Sequence, residues 1–307
     1  LTITAFCTIV LGGCIKETFP QSSQATSGQV GESSSALDAS MSGIPAQMAQ
    51  GYLVYGEQVH ETDMGYPSLM MQFTELMGDI FPQGSNSGYD WFRNYNTCKA
   101  SASNTYISYL PWRTLYMFVK SANDIIKAVD PEGATPTQLG YLGMAYAVRA
   151  FDYYHLMNMY EPVLNQYTDC SHVQGLTVPI ITEQTTEEQG KNNPRATHDE
   201  MVKFILSDLD KAEEYLKDYT PKTKLYPSLA VVYGIRAKVS MSDGKYADAE
   251  KYARMAIDAS GATPLTQEQW EDPKTGFNTA NNAWMWYISY SAENMGNLCN
   301  WIGWASA

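Results

Sequence analysis

Apolar residues recur at helical spacing along most of the chain. In residues 66–81 they fall one, three or four positions apart, at Leu69, Met70, Phe73, Leu76, Met77 and Ile80. A second stripe runs through residues 105–129, at Trp112, Leu115, Tyr116, Val119, Ala122 and Ile126. Because this spacing places the apolar side chains on one face of a helix, it predicts helices over both segments.

Two Thr-x-x-Gln/Glu sequences mark the starts of two further helices. Residues 135–138 read Thr-Pro-Thr-Gln, which combines an N-cap, a proline at the first helical position and a capping box. That helix is predicted to run to about Tyr160, just before a proline. Residues 197–200 read Thr-His-Asp-Glu, a second capping box, and the helix that they open carries an apolar stripe at Met201, Ile205, Leu209, Ala212 and Leu216.

Two more helices, over about 227–241 and 246–260, are predicted to form a hairpin around the turn 243–245, with Gly261 ending the second. This hairpin is similar to the tetratricopeptide repeat, in which small residues let paired helices approach and aromatic rings fill the neighbouring hole. The matching positions are Tyr233, Ala237, Gly244, Tyr246, Ala249 and Ala256. Residues 142–146 also match the L-G-x2-Y core of that repeat.

Three segments interrupt the helical pattern. Residues 82–104 are rich in Gly, Ser and Asn with aromatic residues among them, and residues 161–194 contain prolines and a polar run, so both are predicted loops. Residues 282–291 alternate with aromatic side chains, which predicts a strand. Helices without βαβ units indicate either a bundle or a helical repeat, and the two tetratricopeptide matches favour the repeat.

The N-terminal residues indicate a targeting segment. Leu1 to Gly13 are apolar or small and carry no charge, which is the length of a signal-peptide core and too short to span a bilayer. The junction Leu-Gly-Gly-Cys at 11–14 resembles a bacterial lipobox, in which Cys14 becomes the lipidated N-terminus of the mature protein. The alternative is a buried helix in which Cys14 is only a small apolar residue.

The residues after Cys14 favour the lipoprotein interpretation. Residues 21–35 are a Ser/Gln/Gly stretch in which we find no helical periodicity, as in a flexible tether. We therefore predict a signal peptide over 1–13, incomplete at its N-terminus, a lipid-anchor tether over 14–35, and a helical domain over 36–307.

Composition narrows the possible partners. The chain has 307 residues, 33 of them acidic against 20 basic, and a net charge of −13, so nucleic acid and anionic lipid surfaces are unfavourable partners. Its 22 Tyr and 7 Trp supply the rings that proteins use to grip ligands, although most such rings pack between helices. Without the targeting segment three cysteines remain, Cys98, Cys170 and Cys299, which allow at most one intramolecular disulfide.

No motif of enzyme chemistry is evident. His60-Glu61 begins like a zinc-protease motif, but the second His four residues on is missing, and the four histidines have no ligand spacing. Residues 84–88 resemble a nucleophile elbow but carry Asn at the central position. Phosphate-binding and dinucleotide-binding glycine loops are absent from the sequence. We therefore predict a protein that is not an enzyme and needs neither cofactor nor metal, although distant carboxylates could still form a glycosidase pair.

Four stretches in this order resemble the SusD/RagB family of nutrient-binding outer-membrane lipoproteins of Bacteroidota. Residues 112–126 contain WRTLY and ANDII, and residues 143–163 contain RA, YY-x-L and Y-x-x-V. Residues 195–212 contain RAT, then Glu, Ile, DL and Ala at the family's spacing, and residues 229–257 fit its later repeat-like unit. The chain departs from the family at 161–162, where Glu-Pro replaces the usual Gly.

The resemblance implies an all-α, right-handed superhelix of tetratricopeptide-like helix hairpins, with long irregular loops and minor strand content near the C-terminus. It implies a lipid-anchored protein, exposed at the cell surface on the outer membrane, that binds oligosaccharides and delivers them to a SusC-like TonB-dependent transporter. Family members are usually longer, so we expect the domain over 36–307 to lack its C-terminal part.

Loops carry binding residues more often than helix interiors do, so we expect the ligand contacts in loop 82–104 and in the C-terminal stretch. The predicted ligand-binding residues are Tyr89, Trp91, Arg93, Asn94, Tyr95, Asn96, Asn297, Asn300, Trp301 and Trp304. Trp284 and Trp286 are expected to pack in the core. Three alternatives stay open: a peptide-binding member of the same family, a scaffold that binds only protein, and a surface glycosidase.

Overall fold

The computed structural model describes residues 26–49, 66, 106–166, 169–276 and 279–289. Within them the α-helices are α1 (Ser27–Glu32), α2 (Ser34–Met48), α3 (Tyr106–Ala128), α4 (Pro136–Tyr160), α5 (Glu187–Lys191), α6 (His198–Leu216), α7 (Leu229–Ser242), α8 (Tyr246–Ser260) and α9 (Gln267–Glu271). A 3₁₀ turn lies at Ser171–Val173, and a β-bridge pairs Leu176 with Thr197. Of the helix predicted over 66–81, only Tyr66 is described, and it is helical.

Helix α4 is the centre of the fold. It packs between α3 and α6, α2 contacts both α3 and α4, and the α7–α8 hairpin continues the packing beyond α6. Apolar and small residues occupy all sides of α4, from Gly140 to Met157, as expected of a helix that is buried all round. The predicted all-α class is confirmed, and the right-handed superhelix stays a prediction.

Both predicted capping boxes are confirmed. Before α4, the Thr135 hydroxyl accepts a hydrogen bond from the Gln138 amide at 3.3 Å, and the Gln138 side chain accepts one from the Thr135 amide at 2.7 Å. Before α6, Thr197 and Glu200 make the same reciprocal pair at 3.3 and 2.8 Å. Since the first amides of a helix have no partner within it, these contacts set where α4 and α6 begin.

The predicted hairpin is also confirmed, with α7 and α8 joined by the turn that ends at Lys245. Gly261 ends α8 in the left-handed conformation, with φ 57°. In the other tetratricopeptide match, Gly143 lets α4 approach α6 closely: a Cβ at this position would lie 2.9 Å from Cγ of Leu216 and 3.3 Å from the Ala212 carbonyl oxygen. The small residues therefore have the packing role that the repeat pattern predicts.

The prediction of a flexible tether up to residue 35 is wrong for its last ten residues. Thr26 caps α1 with a capping box to Gln29, and Ser33 caps α2. Gln138 of α4 donates to the Gly31 carbonyl at 2.6 Å, which fastens α1 to the central helix. The structure thus orders this segment through caps and tertiary contacts, which a composition rich in Ser, Gln and Gly does not reveal.

The strand predicted over 282–291 is wrong within the part of it that the structure describes. Residues 279–289 are irregular, and no neighbouring extended segment pairs with them there. The Tyr287 amide donates instead to the Lys224 carbonyl at 3.2 Å, and the Trp286 indole donates to the Leu225 carbonyl at 3.0 Å. Met285, Trp286 and Ile288 pack against the helical core, which confirms the expectation for Trp286. Trp284 does not share this packing and contacts Tyr287 instead, with ring centroids 5.6 Å apart.

A charged cluster joins α4, α6 and the α7–α8 turn. His198, the first residue of α6, lies 2.7 Å from the Glu161 carboxylate through Nδ1 and 3.4 Å from the Asp243 carboxylate through Nε2. Lys245 is 2.7 Å from the same Asp243. The hydrogen bond and charge of Glu161, with a smaller contribution from Asp243, raise the pKa of His198 above its ordinary value despite partial burial.

We expect the stabilisation by His198 to decline with rising pH. A histidine whose pKa is raised on folding stabilises the protein fully below its unfolded pKa of about 6.5, and this contribution is lost as the pH rises through the folded pKa. Urea unfolding of the wild type and of His198→Gln at pH 5.5 and pH 8.5 measures it. The destabilisation should be larger at pH 5.5, and equal values at the two pH values would contradict the assignment. His172→Gln, an exposed histidine outside the cluster, is the control.

Candidate functional site

An aromatic cleft opens between the end of α2, the middle of α4 and the segment 286–288. Its volume is about 300 Å³, at the lower end of the range for small-molecule sites. We call it the aromatic cleft. The described residues that line it are Met48, Tyr66, Phe151, Trp286, Tyr287 and Ile288.

The rings of the aromatic cleft are held by one another and by the backbone. Phe151 packs edge-on against Trp286 with ring centroids 5.0 Å apart, and Tyr66 lies 5.7 Å from Phe151. The hydrogen bond from the Trp286 indole to the Leu225 carbonyl fixes the orientation of that ring. Mutual edge contacts of this kind make a pre-formed apolar surface rather than a set of free side chains.

The polar groups behind this surface are neutral. The Tyr66 hydroxyl lies 2.9 Å from Nε2 of His155, which also packs against Phe151 with ring centroids 4.4 Å apart. Burial lowers the pKa of His155 to about 3, so at neutral pH the ring is uncharged and shares one hydrogen bond with the Tyr66 hydroxyl. Burial also raises the pKa of Tyr66 well above its ordinary value. The wall of the cleft therefore carries no charge on these two groups.

The aromatic cleft also carries a polar group at its surface. Tyr287 has a hydroxyl with no partner in the described part of the chain, so a ligand on the rings has a polar atom to contact.

Among the described residues, no group of three or more His, Cys, Asp or Glu side chains is placed to hold a metal ion. The same residues contain no helix with the length and apolarity required to span a bilayer.

Residues from three separate motif stretches meet in a buried polar network beneath the loop between α4 and α6. Arg149 of α4 makes a two-pronged contact with Asp208 of α6 at 2.7 and 2.8 Å. It also donates to Asn123 of α3 at 2.7 Å and to Glu183 of the loop at 2.6 Å. These residues cross-link α3, α4 and α6, and we call them the Arg149 network.

The ten predicted ligand-binding residues and the predicted lipid site, Cys14, lie outside the described residues and stay predictions. The structure instead places Tyr66, Phe151 and Tyr287 in the aromatic cleft, which the sequence analysis missed. The sequence predicts binding residues from aromatic side chains in loops. Phe151 belongs instead to the buried helix α4, and Tyr66 comes from a segment far away in sequence. Cys170 is a buried free thiol, and Cys98 and Cys299 lie outside the described residues.

Comparisons with known proteins agree with this architecture. A family model described as SusD-like, "starch-binding associating with outer membrane", matches residues 37–241. A SusD-like protein of Formosa agariphila is 30% identical over an alignment of 171 residues, and the match covers 53% of this chain and 29% of that protein.

Two solved structures show the same fold. A SusD-like carbohydrate binding protein of Bacteroides vulgatus matches with a TM-score of 0.67 at 20% identity, over 85% of this chain and 52% of that one. A SusD superfamily protein of Bacteroides thetaiotaomicron matches with a TM-score of 0.61 at 16% identity, over 86% and 54%. This chain spans about half the length of these structures and less than a third of the Formosa protein. Because the family model covers well over half of its residues, the chain belongs to the SusD-like family.

Proposed function

We propose that this protein binds neutral oligosaccharides without cleaving them, as part of nutrient uptake at the outer membrane. The observation that carries the proposal is the aromatic cleft, a pre-formed and uncharged surface of rings in a chain whose family is described as starch-binding. A sugar ring presents an apolar face of C–H groups, which stacks on Tyr, Phe or Trp, and a rim of hydroxyls that needs hydrogen bonds. Such binding requires neither a metal nor a cofactor.

The predicted ligand loops are connected to the same cleft by the chain itself. Loop 82–104 follows Tyr66 by 16 residues, and the stretch with Asn297, Asn300, Trp301 and Trp304 begins eight residues after Ser289. Since a residue spans at most about 3.6 Å, Asn297 lies within about 29 Å of Ser289 at the edge of the cleft. We therefore propose that the loop residues extend the surface that the aromatic cleft begins.

The membrane arrangement is the second part of the proposal. Cys14 is the lipid attachment site, and the bound oligosaccharide passes to a SusC-like TonB-dependent transporter. The lipobox-like junction before Cys14 and the family's association with the outer membrane support this arrangement. The net charge of −13 is compatible with it, because an anchored lipid rather than a basic surface would hold the protein at the membrane.

Calorimetry with a panel of neutral hexasaccharides, malto-, cello-, xylo- and laminarihexaose, tests the proposal. We expect saturable binding of at least one member, weakened about tenfold by Tyr287→Ala, which is roughly 1.4 kcal/mol of binding free energy. Trp91→Ala and Trp301→Ala should weaken it similarly. The matched controls are Tyr246→Ala and Trp270→Ala, exposed rings that do not line the cleft.

Each alternative has a distinct result in the same experiments. Release of shorter sugars during incubation would show a glycosidase and contradict the binding-only proposal. Binding of a peptide panel with no glycan binding would show a peptide-binding member, and binding of neither would overturn the proposal. Co-purification of a large outer-membrane barrel with the lipidated protein tests the transporter, and loss of that barrel after Cys14→Ser would support anchoring through this residue.

A further inference from the structure

A second cleft lies on the loop between α4 and α6. Its volume is about 500 Å³, and it shares no residue with the aromatic cleft. Most of the described residues that line it have uncharged polar side chains: Thr182, Gln184, Thr185, Gln189, Asn192 and Asn193. We call it the loop cleft.

The two ends of this loop are tied together. The Thr177 amide donates to the Ala196 carbonyl at 2.8 Å, and the Ala196 amide returns a bond to the Val178 carbonyl at 3.1 Å. Arg195 donates to the Thr177 carbonyl at 2.6 Å and to the Tyr160 carbonyl at 2.8 Å. The segment 177–196 is thus closed at its base, and surface loops frequently carry function.

The base of the loop is fixed to the helices beneath it. The Tyr153 hydroxyl accepts from the Ile181 amide at 2.7 Å, and Asn123 donates to the Ile181 carbonyl at 3.1 Å. The Arg149 network holds Glu183 in the same place. Because a rigid site loses little entropy when a ligand binds, this anchoring favours recognition by the side chains on the rim.

Those rim side chains have unused hydrogen-bonding groups. Within the described part of the chain, the side chains of Gln184 and Asn192 make no hydrogen bond. Gln189 uses only its oxygen, which accepts from the Thr186 amide at 2.9 Å. Asn193 uses only its nitrogen, which donates to the Ile180 carbonyl at 2.6 Å. A carboxamide offers both donors and an acceptor, so the rim can bind groups that are themselves both donor and acceptor.

The charge pattern favours an uncharged ligand. Of the nearby ionised groups, Glu183 is engaged by Arg149, and Lys191 pairs with Glu187 at 3.2 Å and with Glu188 at 3.9 Å. None of these charged residues lines the loop cleft. A peptide would need pockets for its side chains, and the apolar lining here is limited to an isoleucine and a proline.

We propose that the loop cleft is a second carbohydrate site, which takes a neutral sugar unit through hydrogen bonds between its hydroxyls and the rim carboxamides. Hydroxyl groups both donate and accept, as the unused carboxamide groups require, and they carry no charge. The identification of the ligand as a sugar rests on the proposed function, whereas the position of the site rests on the geometry of the loop.

The test combines a double variant with a local probe. Gln184→Ala/Asn192→Ala removes two exposed side chains that make no hydrogen bond within the described part of the chain, and Gln174→Ala, an exposed glutamine outside the cleft, is the matched control. Calorimetry with the four neutral hexasaccharides should show about tenfold weaker affinity, or loss of one site, for the double variant only. Hydrogen exchange of the amides in 182–194 should slow when the bound hexasaccharide is added to the wild type.

The outcomes separate this inference from the proposed function. Suppose that Tyr287→Ala weakens glycan binding, the double variant leaves it unchanged, and the amides of 182–194 gain no protection. This result would overturn the sugar site in the loop cleft and leave the proposed function standing. Binding of no hexasaccharide by the wild type would overturn both. Protection of 182–194 by peptides instead of sugars would overturn the assignment of a sugar ligand to this site.

Discussion

Arg149→Met is expected to destabilise the fold by about 3–5 kcal/mol, because it removes one partner of a buried ion pair and leaves the other uncompensated. Arg149 is 2% exposed and Asp208 is 1% exposed, so water cannot replace the lost contacts. The same change also releases Asn123 and Glu183. Since these residues belong to three helices and a loop, the substitution should weaken the whole bundle rather than one end of it.

Urea unfolding followed by circular dichroism measures this loss. Arg254→Met is the matched control, because Arg254 forms an exposed pair with Glu250 on α8, and it should leave the unfolding midpoint unchanged. In the double variant Arg149→Met/Asp208→Leu no buried charge from the pair remains unpaired, so much of the stability should return. A loss below 1 kcal/mol for Arg149→Met, or a double variant less stable than the single, would contradict this account.

The Arg149 network shows that the motifs behind the family resemblance have a structural role. Asn123, Arg149 and Asp208 come from three of the stretches that the sequence analysis compared with the family, and Arg195 opens the third of them. In the structure they bind one another or backbone carbonyls. They hold together the helices and the loop on which the clefts lie. Because none of them lines either cleft, they say nothing about the ligand.

Much of the helical frame follows from local rules. Thr135 and Thr197 were predicted as helix caps from four residues each, because a capping box is satisfied within its own turn. The same capping-box sequence occurs at Thr26, Thr186 and Thr266, where Gln follows three residues later. A helix begins after each of these threonines. Around Thr26 and Ser33 the caps, rather than the Ser/Gln/Gly composition, determine the local structure.

The clefts could not be predicted in this way, since their geometry depends on contacts between distant segments. Tyr66 and His155 are 89 residues apart, and Trp286 reaches a carbonyl 61 residues away. Alternation in 282–291 was compatible with a strand or with an extended segment lying on helices, and the pattern alone does not distinguish them. Most of residues 161–194 are irregular, as predicted, but the prediction is wrong for the short helix α5, and the closure of the loop uses the guanidinium of Arg195.

A buried carboxyl on α4 gives the second large effect. Asp152 is fully buried, neither of its side-chain oxygens has a hydrogen-bond partner among the described residues, and burial raises its pKa well above the ordinary value. The folded state therefore keeps a proton that the unfolded state loses above its pKa of about 3.9. The resulting cost is absent below that pH and grows as the pH rises towards the folded pKa.

The asparagine side chain in Asp152→Asn has nearly the same shape as the aspartic acid but cannot ionise. The free energy of unfolding of this variant should therefore match that of the wild type near pH 4 and exceed it at higher pH. The advantage is expected to grow by about 1.4 kcal/mol for each pH unit until the folded pKa is reached. Urea unfolding of both proteins between pH 4 and pH 8 measures this difference, and effects of other groups common to both cancel. Asp258→Asn, on the exposed side of α8, should show no such trend. A pH-independent difference for Asp152→Asn, or a wild type that gains on the variant with rising pH, would show that this carboxyl is ionised and paired in the folded protein.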